Sequence, residues 1–267
     1  MGAAVTRFRH PDVAALVLAA GQGTRMNSDL PKVLHPMDGR PLLGWVLGAL
    51  DELGVGRTMV VIGHGRDQVQ AAFPDSGIEW VVQSEQRGTG HAVMMAGPSL
   101  SEFDGILLVV CGDTPLLRAP VLHDLIEGHR GAQAAGTVLS TRVPDPTGYG
   151  RILRDPDAGP DAIAGIVEDR DATPAQRAID EINSGNYAFD YRALEAVLGR
   201  LSSNNSQGEY YLTDTMRLLL ESGHRAAVRC APDYRTLLGI NTPAQLAEAE
   251  RIHRELEGAG APGNGES

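Results

Sequence analysis

Positive charge is scarce in this chain, and lysine is scarcer still: Lys32 stands alone beside 22 arginines. The 34 acidic side chains outnumber the 23 lysines and arginines, for a formal net charge of −11. Such a balance excludes a nucleic-acid groove or an anionic membrane as the main partner. An anionic substrate would have to be held by a few placed cations and by backbone N–H groups. Cysteine is also rare. Cys111 and Cys230 are too few for a disulfide framework and fit a reducing compartment. No apolar run reaches membrane-spanning length. The stretch VAALVLAAG, with Arg7, Arg9 and His10 before it, resembles a signal peptide. Pro11 and Asp12 interrupt that pattern and the run ends in a glycine-rich loop, so the expected location is the cytoplasm.

What the chain does have is alternation. Apolar runs at 13–20, 58–63, 78–83 and 105–113 have the length of buried strands, and helical patterns lie between them at 41–54, 66–73 and 89–96. This is βαβ repetition, which predicts a mostly parallel sheet covered on both faces. Shorter strands follow at 134–143, 150–155, 162–169 and 181–190, separated by Pro, Gly and Asp, and they predict a mixed or antiparallel extension of that sheet. Helices are expected at 191–201, 211–223 and 242–257. The expected organisation is a flexible arm over 1–11, one two-lobed domain over 12–257 divided near 133, and a disordered tail over 258–267.

Ligands of open α/β sheets sit at the carboxyl ends of the parallel strands, here Ala20–Gly23, Gln83, Asp113 and the loops after them. The first loop reads LAAGQGTRMNSDLPK. It is not a P-loop, and Met26 stands where a dinucleotide fingerprint needs its third glycine. A tight turn and a phosphate-binding loop both remain; Arg25 and Lys32 favour the second. Asp113, in CGDTP, is either the N-cap of a following helix or a ligand for Mg²⁺, which prefers hard oxygens. Gln83, in QSEQRGTGHA, offers a donor and an acceptor to a base edge, and Gly88-Thr89-Gly90 opens a helix. His35, His64 and His91 lack metal-ligand spacing and read as structural or loop residues. No serine or cysteine occupies a nucleophile elbow.

Taken together, these residues resemble a known signature. LAAGQGTRMNSDLPKVLHP is similar to that of the sugar-1-phosphate nucleotidylyltransferases. VVQSEQRGTGHAV, CGDTPLL, DPTGYGRI, GIVEDRDAT, EINSGNYAFD, NNSQGEYYLTD and GINTPAQL follow in the order of one family. That family is the uridylyltransferase domain of bifunctional N-acetylglucosamine-1-phosphate uridylyltransferase/glucosamine-1-phosphate acetyltransferase, and the likeness covers roughly residues 12–250. The resemblance implies an α/β, Rossmann-like, mostly parallel mixed sheet of the nucleotidyltransferase (glycosyltransferase-A-like) fold, with a nucleotide lobe and a smaller sugar lobe. It implies UTP and N-acetylglucosamine 1-phosphate as substrates, pyrophosphate as co-product and Mg²⁺ as cofactor. Leu18, Ala19, Ala20, Gly21, Gln83, Gly88 and Thr89 would bind the nucleotide. Gly112, Gly150, Glu168 and Asn183 would hold the sugar, and Asp113 and Asn241 the metal. Arg25, Lys32 and Asp113 would carry the catalytic step.

The chemistry agrees with the absence of a catalytic histidine or serine. A sugar phosphate oxygen is already an anionic nucleophile, so attack on an α-phosphate needs in-line positioning and charge neutralisation. Hexapeptide repeats, which carry acetyl transfer and the trimer contacts in the resembled family, are absent from this sequence, so neither is expected of this chain. Its own oligomeric state, and a drift to another sugar, cyclitol or NTP, stay open. So does the reason for the single lysine. An ammonium is a compact point charge and a guanidinium a broad planar fork, and a crowded phosphate site has room for the first.

Overall fold

The computed structural model describes residues 8–74 and 77–260, with side chains described to residue 258. The chain enters β1 (His10–Leu18), forms a hairpin from β2 (Pro36–Met37) and β3 (Arg40–Pro41), and continues into α1 (Leu42–Leu53). β4 (Val55–Ile62), α2 (Arg66–Ala72), β5 (Glu79–Val82), α3 (Thr89–Met95), β6 (Ile106–Cys111) and α4 (Ala119–Ala132) complete an alternating half. β7 (Gly136–Arg142), β8 (Arg151–Arg154), β9 (Ile163–Val167), the one-turn α5 (Pro174–Arg177) and β10 (Glu181–Asp190) follow. α6 (Tyr191–Leu198), α7 (Asp214–Glu221), β11 (Ala226–Ala231) and α8 (Pro243–Gly260) close the chain.

The main sheet runs in the order β11-β7-β10-β6-β1-β4-β5, with β8 on β10 and β9 on β8. β1 lies parallel to β4 and β6, and β5 parallel to β4. β10 is antiparallel to both β6 and β7, which makes the sheet mixed as expected. Two-sided burial follows from the strand period. Val13, Ala15 and Val17 of β1 face α1 (Val46, Leu50, Leu53) and α4 (Leu122, Leu125, Ile126). Ala14 and Leu16 face the other layer, with Ala92 and Val93 of α3, Leu194 of α6 and Met216 and Leu219 of α7. Each fully buried Val, Leu, Ile or Met side chain among them contributes about 1.5–3 kcal/mol. A third cluster seats Ala249 and Ile252 of α8 on Met37, Leu42, Leu116 and Ile240, and so ties the end of the chain to the loop after β6.

Four expectations need correction. β1 starts at His10, so Pro11 and Asp12 belong to the strand and not to an arm. The β1–β4 register breaks between His10 and Ala14, which spares Pro11 the ladder bond it lacks. α8 extends to Gly260, into the stretch expected as tail. Residues 1–7 and 261–267, the rest of that arm and tail, lie outside the described residues. α4 and β11 were not foreseen. In α4, Pro120, Gly128 and Gly131 dilute the pattern, yet Leu122, Leu125, Ile126 and His129 share a buried face. β11 is short, with little alternation, and is held as an edge by parallel pairing with β7. Among the described residues no helix is long and apolar enough to cross a membrane.

Candidate active site

The carboxyl ends of β1, β4, β5 and β6 are drawn together by backbone bonds. Gly112 N–H donates to Leu18 O (3.0 Å), Ala19 N–H to Val61 O (2.9 Å) and Gln83 N–H to Ile62 O (2.8 Å). A Cβ at Gly112 would meet Leu18 O at 3.1 Å and Ala19 Cβ at 3.2 Å, so any larger residue would crowd this approach. In the loop after β1, Gly23 has φ +64°, and a Cβ there would lie 2.5 Å from Lys32 Cβ. The turn therefore presses its backbone against the lysine stem. A side chain at Gly21 would meet no protein atom, so packing does not explain that glycine.

Lys32, at the start of a 3₁₀ turn, donates through Nζ to Asp113 Oδ2 in an ion pair and to Asn241 Oδ1 at 3.1 Å. Arg25 donates to the same Asn241 oxygen at 3.0 Å. The lysine and aspartate side chains are only 14% and 18% exposed, so their attraction is weakly screened. Asp113 is held in place by its own backbone: its carbonyl accepts from Ile240 N–H at 2.9 Å, next to Asn241. The N-cap alternative is excluded, since α4 begins at Ala119 behind Arg118. Two hard oxygens from distant segments thus converge on one cation. That donor set fits a divalent metal, which nucleotidyltransferases of this kind generally use.

On one side of this cluster lies Gln83, 3% exposed, whose Nε2 contacts Gly88 O (3.1 Å) and His91 Nδ1 (3.0 Å). Gly88 has φ +103°, and a Cβ there would meet Tyr210 O at 2.6 Å. Thr89 Oγ1 accepts from Leu212 N–H at 3.1 Å, so this loop is fastened to the segment before α7.

On the other side, Asn183 N–H donates to Gly150 O (2.8 Å), and a Cβ at Gly150 would lie 3.5 Å from both Asn183 Cβ and Glu168 Oε2. A bulge in β10 between Asn183 and Asn186, with Gly185 at φ +78°, breaks the pairing with β7 at this point. Burial raises the Glu168 pKa, and the nearby Asp171, Asp214 and Glu209 carboxylates add to it. Thr213 opposes the shift by donating its hydroxyl at 2.9 Å. Burial also raises the Tyr149 phenol, with the Asp113 charge next in weight, which links the Gly150 turn to the Lys32–Asp113 cluster. Burial, with the Asp113 charge next, pushes the half-buried Cys111 thiol up to about 12, which disfavours its thiolate.

All the expected site residues thus fall in one region. Three others were missed as site residues. Thr213 and Tyr149 lie inside quoted motifs, YLTD and TGYG, but nothing local assigns them a partner. His91 read as a structural or loop residue and instead bonds Gln83.

Two other places do not compete. A cavity of about 1050 Å³ is lined by α1 and the β4–β5 edge. Of its lining cations, Arg57 pairs with Glu79 and Arg40 lies over the Trp45 ring. His10, His123 and Glu127 form a group with metal-type ligands. Arg130 bonds Glu127 at 2.6 Å and approaches His10 Nδ1 at 3.2 Å, so a guanidinium already supplies the positive charge there.

Comparison with known proteins agrees with this geometry. The chain is 52% identical over 245 residues to the bifunctional protein GlmU of Thermobifida fusca, covering 90% of this chain and 50% of that protein. The bifunctional protein GlmU of a Geobacillus species is 45% identical over 241 residues, covering 90% and 52%. The chain therefore spans about half the length of the curated relatives it matches. A solved structure of UDP-glucose pyrophosphorylase complexed with UDP-glucose superposes with a TM-score of 0.74 at 17% identity, covering 93% of this chain and 99% of that one. That likeness establishes the fold, a mixed α/β nucleotidyltransferase sheet flanked by helices. Residues 15–179, which run from β1 through the Gly150 turn to Glu168, match a family by sequence, and the chain belongs to that family, the MobA-like NTP transferase domain.

Proposed function

We propose that this chain transfers UMP from UTP to N-acetylglucosamine 1-phosphate, releasing pyrophosphate. The observation that carries the reading is the convergence of Lys32, Arg25, Asp113 and Asn241 between the Gln83 loop and the Gly150–Glu168–Asn183 group. The first flank offers a base-sized polar contact. The second offers an acidic and an amide group suited to sugar hydroxyls and an N-acetyl group.

An oxygen of the sugar phosphate attacks the α-phosphorus. That P–O bond forms as the bond to the β-phosphate oxygen breaks, and pyrophosphate departs with the electron pair. Lys32 and Arg25 offset negative charge on the phosphates in the crowded transition state. Asp113 and Asn241 would hold magnesium, which when bound supplies Lewis-acid neutralisation of phosphate charge. The backbone N–H groups of the Leu18–Gly21 segment are available to the nucleotide. A cytoplasmic location, where UTP is supplied, goes with this reading.

The test is a matrix of NTPs against sugar and cyclitol 1-phosphates, scored by pyrophosphate release. The expected result is release with UTP and N-acetylglucosamine 1-phosphate, with magnesium restoring activity after chelation. Preference for another pair would move the substrate, and no release with any pair would remove the reading.

A further inference from the structure

We infer that His91 contributes to base selectivity, by helping the Gly88 carbonyl hold the side-chain amide of Gln83 so that only its oxygen is left for a ligand. This rests on the reading above, in which Gln83 meets the base. A primary amide has one accepting end and one end with two donors, and shape alone does not orient it. Here the neighbours do. Gln83 Nε2 lies 3.1 Å from Gly88 O, and a carbonyl oxygen can only accept, so the nitrogen end must face it. Turning the amide over would set two carbonyl oxygens against each other. Gly88 O cannot retreat, because it also accepts from Ala92 N–H at 3.2 Å in the first turn of α3.

The second hydrogen of Nε2 points at His91 Nδ1, 3.0 Å away. That nitrogen must therefore be the acceptor, with the ring proton on Nε2. The ring is half-buried, with the Tyr210 ring 6.3 Å away, centroid to centroid. With both hydrogens engaged, Gln83 has one free valence, the Oε1 lone pairs. Oε1 has no hydrogen-bond partner among the described residues and is not sealed from solvent. Whatever meets it must donate. The imide N–H of uracil does so, whereas cytosine has a lone pair on the corresponding ring nitrogen and would face the oxygen lone pair to lone pair. His91 touches no reacting atom. It is a positioning residue for the base contact.

The experiment compares kcat/KM for UTP and CTP, at saturating N-acetylglucosamine 1-phosphate, in wild type, His91→Phe and His91→Asn. Phenylalanine keeps a ring and removes the acceptor. Asparagine returns an accepting oxygen close to where Nδ1 stood. His91→Phe should lower the UTP/CTP ratio by ~10-fold, the scale of one neutral hydrogen bond, and raise the UTP KM without moving the sugar phosphate KM. His91→Asn should restore most of the ratio. If His91→Phe does not fold, His91→Leu serves the same comparison. An unchanged ratio in a folded variant lacking the acceptor, or equal relaxation in His91→Asn, overturns the inference. Failure of the wild type to use any nucleotide would instead remove the transferase reading itself, so the two failures are distinguishable.

Discussion

Replacing Lys32 with arginine conserves charge and should nevertheless remove most of the activity. The lysine stem has no freedom at its base, because the Gly23 turn presses against Cβ. Its head already meets two oxygens, those of Asp113 and, at 3.1 Å, of Asn241. A guanidinium carried on the same stem is broader and reaches farther. It would also compete with Arg25, which donates to the same Asn241 oxygen at 3.0 Å. Misplacing one charge-assisted contact by about 1.4 kcal/mol gives a ~10-fold loss. Lys32→Met removes the charge entirely and should cost about 2.7–4 kcal/mol, or ~10²–10³-fold in turnover. Lys32→Met should also lower Tm, because it leaves the largely shielded Asp113 carboxylate without its partner, whereas the charge-conserving Lys32→Arg should change Tm much less. Pyrophosphate release at limiting and saturating UTP, with thermal melts on the same samples, measures both. If Lys32→Arg keeps more than half of wild-type activity, the shape argument is wrong and the lone lysine is an accident of composition.

Asp113→Asn should fold normally, yet lower turnover by ~10²-fold, as loss of a charge that fixes a metal would; near-normal turnover at limiting Mg²⁺ would contradict the assignment. Glu168→Gln should raise Tm at neutral pH while weakening N-acetylglucosamine 1-phosphate. Burial holds the Glu168 pKa above the ordinary carboxylate value in the fold, so its ionisation costs stability as pH rises from the unfolded pKa through the folded one. The gain in Tm should therefore vanish below about pH 4, and a gain that persists there would show that repacking, not charge, is responsible. Gly88→Ala meets both a φ of +103° and the Tyr210 carbonyl, and should cost roughly 1–3 kcal/mol of stability. Its UTP KM should rise by ~10-fold with little change for the sugar phosphate, and an unchanged UTP KM in the folded variant would detach this loop from the nucleotide.

Elements whose burial is uniform, and the loops that end them, can be read from the residues alone. β1 and β6 are legible because a central parallel strand is buried on both faces and so appears as an unbroken apolar run. Their carboxyl ends locate the Gly21–Gly23 turn and Asp113 without any knowledge of neighbours. What those residues meet is set by the packed fold. The sequence alone leaves an N-cap open beside the favoured ligand role of Asp113, and the fold closes that choice by bringing onto it Lys32, 81 positions away, and the Asn241 segment, whose oxygen is 209 positions from Lys32. Contacts at such separations leave no local periodicity to read. The raised pKa of Glu168, the bond from Thr213 and the role of His91 belong to the same class, since each depends on burial and on a partner's direction. α4 and β11 show the converse limit. Their glycines, proline and short apolar runs are weak local signals, and packing against the sheet supplies the stability that propensity does not.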